Sequence, residues 1–167
     1  MSLAEFLQLP ETKPASEYID GQIYQKPMPQ GKHSKLQSEL LLTISEVGEP
    51  QKLVCALPEL CCTFADWSIV PDIAGEIANR FEIPPDWIIE ILSPDQSPNQ
   101  VIKKIIFSIN HGTKLGWFAD PSDKSVIVFQ PNQLPEVKSD TDILPVLSVL
   151  GDWQLSAAEL FNWLKIN

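Results

Sequence analysis

Two acidic residues stand where apolar strands should carry none: Asp72 in Ser68-Ile-Val-Pro-Asp-Ile-Ala74, and Glu90 in Trp87-Ile-Ile-Glu-Ile-Leu92. Burying an ionised carboxylate costs several kcal/mol unless a partner or a cation compensates it. Two carboxylates on neighbouring strands, with a lysine close by, form a donor set for Mg²⁺ and can activate a water. That chemistry suits phosphodiester hydrolysis. The competing reading is structural, each carboxylate capping a backbone amide or pairing with a lysine. Lys103 and Lys104 lie in the helix-like segment that follows. At about 100° per residue both flank an isoleucine stripe at similar angles. Helix geometry alone does not choose between them, and either can snorkel to solvent.

The surrounding pattern supplies the elements that must hold these residues. Ser2-Leu-Ala-Glu5 has capping-box spacing and predicts a short helix with Leu3, Phe6 and Leu7 inward. Asp20-Gly21 marks a hairpin between Tyr18-Ile19 and Gln22–Gln25. Leu36, Leu40, Ile44 and Val47 recur at helical spacing across 33–47. Strands are predicted over 52–57, 60–64, 68–74 and 87–92. Ser97-Pro98 opens a second helix, with Val101, Ile102, Ile105, Ile106 and Ile109 inward, and Gly112 closes it. A hairpin over 115–119 and 125–130 follows, then a loop-rich stretch to 145. Ser156-Ala-Ala-Glu159 caps a final helix. With no repeat or dividing linker, residues 1–167 read as one domain. The fold class is α/β or mixed α+β, a central mixed β-sheet flanked by helices.

Composition narrows the function. A net charge of -10 argues against broad nucleic-acid binding. Two windows soften this: residues 21–38 hold Lys26, Lys32, His33 and Lys35 without an acid, and 96–119 hold Lys103, Lys104, His111 and Lys114 likewise. They allow a locally basic face, or ordinary solvated lysines. His33 reads as a phosphate contact or a surface residue rather than a general base. Cys55, Cys61 and Cys62 suit neither a zinc knuckle nor a disulfide framework and read as reduced, mostly buried thiols. The tryptophans read as packing groups, with Trp67 exposed in a turn. No apolar run reaches the roughly 18 residues of a membrane span, and no basic, apolar leader opens the chain. The expectation is a cytoplasmic protein without a membrane segment.

Pro71-Asp72, Glu90-Ile-Leu-Ser-Pro94, Lys104, Gly112, Trp117 and Asp120-Pro121, in that order, resemble the Uma-two family of the PD-(D/E)XK nuclease superfamily. The likeness extends to Glu17-Tyr-Ile-Asp-Gly21, His33 and Glu159-Leu-Phe161, and so spans about residues 15–164. It implies a restriction-endonuclease-like domain and a metal-dependent endonuclease acting on DNA, with Mg²⁺ or Mn²⁺ and no organic cofactor. Asp72 and Glu90 match the metal-binding acids, and the Ile91 carbonyl would complete the shell. The superfamily's usual lysine position is Leu92 here, so the resemblance assigns the lysine to Lys104 on the following helix. Glu17 matches a supporting glutamate, a role for which Glu39 is an alternative. His33, Lys35 and Lys103 are candidate nucleic-acid contacts, and a homodimer is implied. The alternative is a nuclease-like scaffold that binds without cutting, suggested by the acidic balance and Leu92.

Overall fold

The run Trp87-Ile-Ile-Glu-Ile91 is a strand buried along its whole length, and the rest of the chain is laid out on its two faces. The computed structural model describes residues 1–77 and 83–165. In chain order its elements are α1 (Leu3–Phe6), β1 (Ser16–Ile19), β2 (Gln22–Gln25), α2 (Gly31–Gly48), β3 (Val54–Pro58), β4 (Cys62–Phe64), β5 (Trp67–Ile69) and β6 (Ile73–Ile77). Then come β7 (Trp87–Ile91), α3 (Pro98–Asn110), β8 (Leu115–Asp120), β9 (Ser125–Phe129), β10 (Glu136–Ser139), a 3-10 turn (Ser148–Leu150) and α4 (Ala157–Asn162).

Six strands form a mixed sheet in the order β10-β9-β8-β7-β6-β3. Only β7 and β8 run parallel in it, and α3 makes the crossover between them. The mixed α/β class is as expected from the sequence. Successive strand residues face opposite ways, so Trp87, Ile89 and Ile91 join one core with Leu36, Leu40 and Ile44 of α2. Ile88 enters the other core with Val101 and Ile105 of α3. Glu90 lies two residues beyond Ile88 and shares its face. That parity aims its carboxylate at α3.

A second sheet, in the order β2-β1-β5-β4, was not foreseen. It arises because the strand expected over 68–74 is broken in two. Pro71 has no N–H for a ladder, and the chain passes at Val70-Pro71-Asp72 from β5 in the small sheet to β6 in the large one. Trp67 is buried, not exposed, and stacks on Phe107 of α3 with centroids 3.7 Å apart. The small sheet is thereby tied to the helix that carries Lys104.

Other expectations need correcting. Helix α1 keeps its capping box but buries no residue fully, and Leu7 is exposed at its C-cap, because one turn has too little face to cover it. The loop expected over 130–145 contains β10, a charged edge strand whose sequence lacks apolar alternation. Cys61 is exposed, while burial pushes the Cys62 thiol up to about 12. The turn at Asp20-Gly21 is confirmed, both residues having positive φ (52° and 78°) as a type I′ hairpin requires. Among the described residues, no helix is long and apolar enough to cross a membrane.

Gly116 sets the distance between α3 and the sheet. A Cβ there would lie 2.4 Å from Ile105 Cγ2, so α3 would have to retreat, moving Lys104 with it. We expect Gly116→Ala to destabilise the protein by about 1–3 kcal/mol, read as a lower denaturant midpoint. An unchanged midpoint would mean that α3 is not held where it stands.

Candidate active site

The register of β6 on β7 pairs Ile73 with Ile89. Asp72 lies one residue before that pair, and its carboxylate bonds the amide of Ile91, the residue after Glu90. Asp72 is held from several directions. Its Oδ2 accepts the Ile91 amide at 2.8 Å and lies 3.0 Å from His33 Nε2. Its Oδ1 accepts from Lys26 Nζ at 2.9 Å. Gln37 Nε2 donates to the Asp72 carbonyl at 2.8 Å and to Glu59 Oε1 at 3.1 Å. Helix α2 delivers His33 because positions 33, 36, 40 and 44 form one buried face. Leu36, Leu40 and Ile44 fix the helix on the sheet, and its first turn then meets Asp72.

Behind this carboxylate lies Lys104, 1 % exposed. Its Nζ is 2.6 Å from Glu17 Oε1 and 2.8 Å from Glu90 Oε1. Glu17 reaches it from β1, and the same Oε1 accepts the Val70 amide at 2.8 Å. The buried face of α3 is Val101, Lys104, Ile105 and Ser108, an i, i+3, i+4, i+7 set. Ile106, expected inside, is 44 % exposed. The helix is rotated from the expected stripe because Glu17 and Glu90 give Lys104 a reason to enter the core. Lys103 then points outward to Asp20 and lies 5.7 Å from the centre of the Trp67 ring.

Three buried carboxylates, Glu17, Asp72 and Glu90, thus face two ammonium groups, Lys26 and Lys104. The surplus of negative charge is shared unevenly. Burial alone would raise the Asp72 carboxyl, but the His33 hydrogen bond, Lys26 and the Ile91 amide hold it well below the usual range. Glu90 is pushed up to about 8, first by burial and then by repulsion from Asp72 and Glu17, against the pull of Lys104 and Lys26. Burial would lower Lys104, yet Glu90 and Glu17 together hold it well above its ordinary value. Asp72 and Glu90 raise Lys26 in the same way, outweighing its burial.

A consequence is measurable in metal-free protein. Because the folded state raises the Glu90 pKa, the stability linked to its proton is fully present below its ordinary value of 4.5 and lost as pH rises through about 8. The urea midpoint should fall across that window, and Glu90→Gln, fixed in the neutral form, should flatten the slope. An equal slope in the variant would contradict this account.

The remaining candidates are dispersed. Glu39 pairs with Lys35 at 2.5 Å one turn away on α2, so of the two supporting glutamates it is Glu17 that the fold brings to Glu90 and Lys104. His33 is a buried partner of Asp72, not a surface residue. The basic windows are largely neutralised, since Lys26, Lys35, Lys103, Lys104 and Lys114 each pair with an acid of this chain. Lys26, Gln37 and Glu59 are site residues that the sequence did not single out. Lys26 gave one signal, its place in an acid-free window.

A cleft of about 510 Å³ opens over Asp72, lined also by Lys26, His33, Gln37, Glu59 and Gln96. Glu90 and Lys104 lie deeper. Among the described residues, no three His, Cys, Asp or Glu side chains converge as a ready-made cation cage. Asp72 and Glu90 nevertheless supply two hard oxygen donors, the donor type that suits a divalent cation such as Mg²⁺ or Mn²⁺.

The fold closely matches the crystal structure of a protein from Anabaena variabilis described as a "putative nuclease". The two are 49% identical, the match covers 99% of each chain, and the TM-score is 0.94. No curated protein matches the sequence. Residues 3–158 match the Uma2 family, described as "Putative restriction endonuclease". The ordered acids and lysine, the mixed sheet that carries them and this match over nearly the whole chain agree, and the chain belongs to the Uma2 family.

Proposed function

We propose that this protein is a metal-dependent endonuclease that hydrolyses phosphodiester bonds of DNA. The observation that carries the reading is that two buried carboxylates converge on the end of β7, Asp72 bonded to the Ile91 amide and Glu90 one residue before it, with Lys104 of α3 buried against Glu90. Asp72, Glu90 and the Ile91 carbonyl would hold Mg²⁺ or Mn²⁺. When bound, the cation polarises the phosphodiester and lowers the pKa of an attacking water.

The chain's own residues do the positioning. The Ile91 amide and His33 fix the plane of the Asp72 carboxylate, leaving its Oδ1 toward Lys26 and the cleft. Gln37 holds the Asp72 main chain. Lys104 keeps Glu90 in place and maintains a positive charge beside the site, where it opposes the negative charge that builds on the phosphate. Glu17 anchors that lysine and is itself fixed by the Val70 amide. The enzyme acts as a homodimer, since a duplex presents two strands to cut.

A second reading, a scaffold that binds without cutting, draws on two features: Leu92 stands at the superfamily's lysine position, and most lysines are neutralised within the chain. The test is a supercoiled plasmid incubated with the protein at low salt. Nicking that requires Mg²⁺ or Mn²⁺ and stops on chelation is expected. Intact plasmid under all of these conditions would favour the scaffold. Because few free cations remain to hold phosphates, substrate affinity should be modest and its dependence on salt shallow.

A further inference from the structure

Lys26 is absent from the motif that defines the site, yet it makes the closest set of contacts at the cleft. Its Nζ lies 2.8 Å from the Val70 carbonyl, 2.8 Å from Glu59 Oε2 and 2.9 Å from Asp72 Oδ1. An ammonium ringed by three oxygens is coordinated much as a small hard cation would be. The other oxygen of Asp72 is already committed to His33 and the Ile91 amide. Oδ1 is therefore the oxygen an incoming cation would take, and Lys26 sits on it.

A Mg²⁺ ion binds its oxygens at about 2.0–2.1 Å. On Oδ1 it would stand within a few ångströms of the ammonium, and two positive charges at that distance repel strongly. The lysine has somewhere to go. Its main chain is pinned where β2 ends, the Lys26 amide donating to the Ala15 carbonyl at 2.8 Å. Its side chain lines the 510 Å³ cleft, into which it can rotate without moving the sheet.

We propose that Lys26 is a tethered cation that competes with the divalent metal for Asp72 Oδ1, sets the metal affinity of the site, and swings into the cleft when metal binds. There its charge is available to the phosphate of a substrate. Two lysines then divide the work. Lys104, sealed between Glu17 and Glu90, stays in place, and Lys26 moves. The inference rests on the metal-binding role of Asp72 proposed above, and the test separates the two.

The first measurement is amine labelling of the intact protein, read residue by residue by mass spectrometry, with and without Mg²⁺. The Lys26 side chain is 7% exposed and should label slowly without metal and several-fold faster with it, while Lys104 stays protected in both. Labelling of Lys26 that Mg²⁺ leaves unchanged would overturn the proposal. The second is Mn²⁺ titration by calorimetry of wild type, Lys26→Met, Lys26→Arg and Asp72→Asn. Removing the competitor should tighten binding at least about tenfold, as expected when a blocked fraction of the site is freed. Lys26→Arg keeps the charge and should stay near wild type. Equal affinity in Lys26→Met and wild type, with Asp72→Asn weakened, would overturn the role of Lys26 alone. Wild-type affinity in Asp72→Asn, or no Mn²⁺ binding by any form, would overturn both the role of Lys26 and the metal site.

Discussion

Lys104→Met should destabilise the metal-free protein by about 3–5 kcal/mol, the usual cost of removing one partner from a buried ion pair. Lys104 is the shared cation of Glu17 and Glu90, and all three are buried. Methionine fills the stem's volume but removes the ammonium that both Glu17 and Glu90 contact. Glu90 can take up a proton, since burial and its acidic neighbours already push it to about 8. Glu17 retains the Val70 amide as its partner among the described residues. The double variant Lys104→Met/Glu90→Gln should therefore regain part of the loss, giving a favourable coupling in a denaturation cycle. A single-variant loss under about 1 kcal/mol, the scale of an exposed pair, would show that the cluster is solvated in solution.

The second large effect is on chemistry. Asp72→Asn keeps the size of the side chain and can still accept the Ile91 amide, so the fold should survive. What it removes is the charge that would bind the cation. A bound metal contributes several kcal/mol to stabilising the charge of the transition state, and each ~1.4 kcal/mol is a factor of ten in rate. Cleavage should fall by at least about a hundredfold, and calorimetry should show Mn²⁺ affinity weakened in parallel. A variant that loses its circular dichroism spectrum along with activity would not count; the prediction concerns a folded protein.

How much of this was readable from residues depended on how local each feature is. Glu90 was legible because a charge inside Trp87–Ile91 is visible without knowing what surrounds it, and period-two alternation already set it on the Ile88 face. The capping box of α4 and the turn at Asp20-Gly21 are equally local, and both are present. The orientation of α3 was not legible. Helical periodicity left Lys103 and Lys104 equivalent, and the choice is made by Glu17 and Glu90, carboxylates from β1 and β7 that only the folded chain brings to the helix.

The small sheet was hidden for a related reason. Ser68–Ala74 reads as one apolar strand, and only the cost of placing Pro71 in a ladder splits it. That break moves Asp72 out of a strand interior to the start of β6, within reach of α2 and of the end of β2. Lys26 and Gln37 join the site through it, and neither carries a sequence pattern of its own. Family resemblance supplied Lys104 but is silent on Lys26, because the pairing of Lys26 with Asp72 depends on side-chain reach across two sheets.

The most direct test of the central claim is relaxation of supercoiled plasmid in Mg²⁺ at low salt, with wild type and Asp72→Asn purified identically and assayed side by side. Wild type should nick the plasmid in a reaction that a chelator abolishes, and the variant should show none above background. Equal nicking by the two proteins, or none by wild type in either Mg²⁺ or Mn²⁺, would contradict that claim.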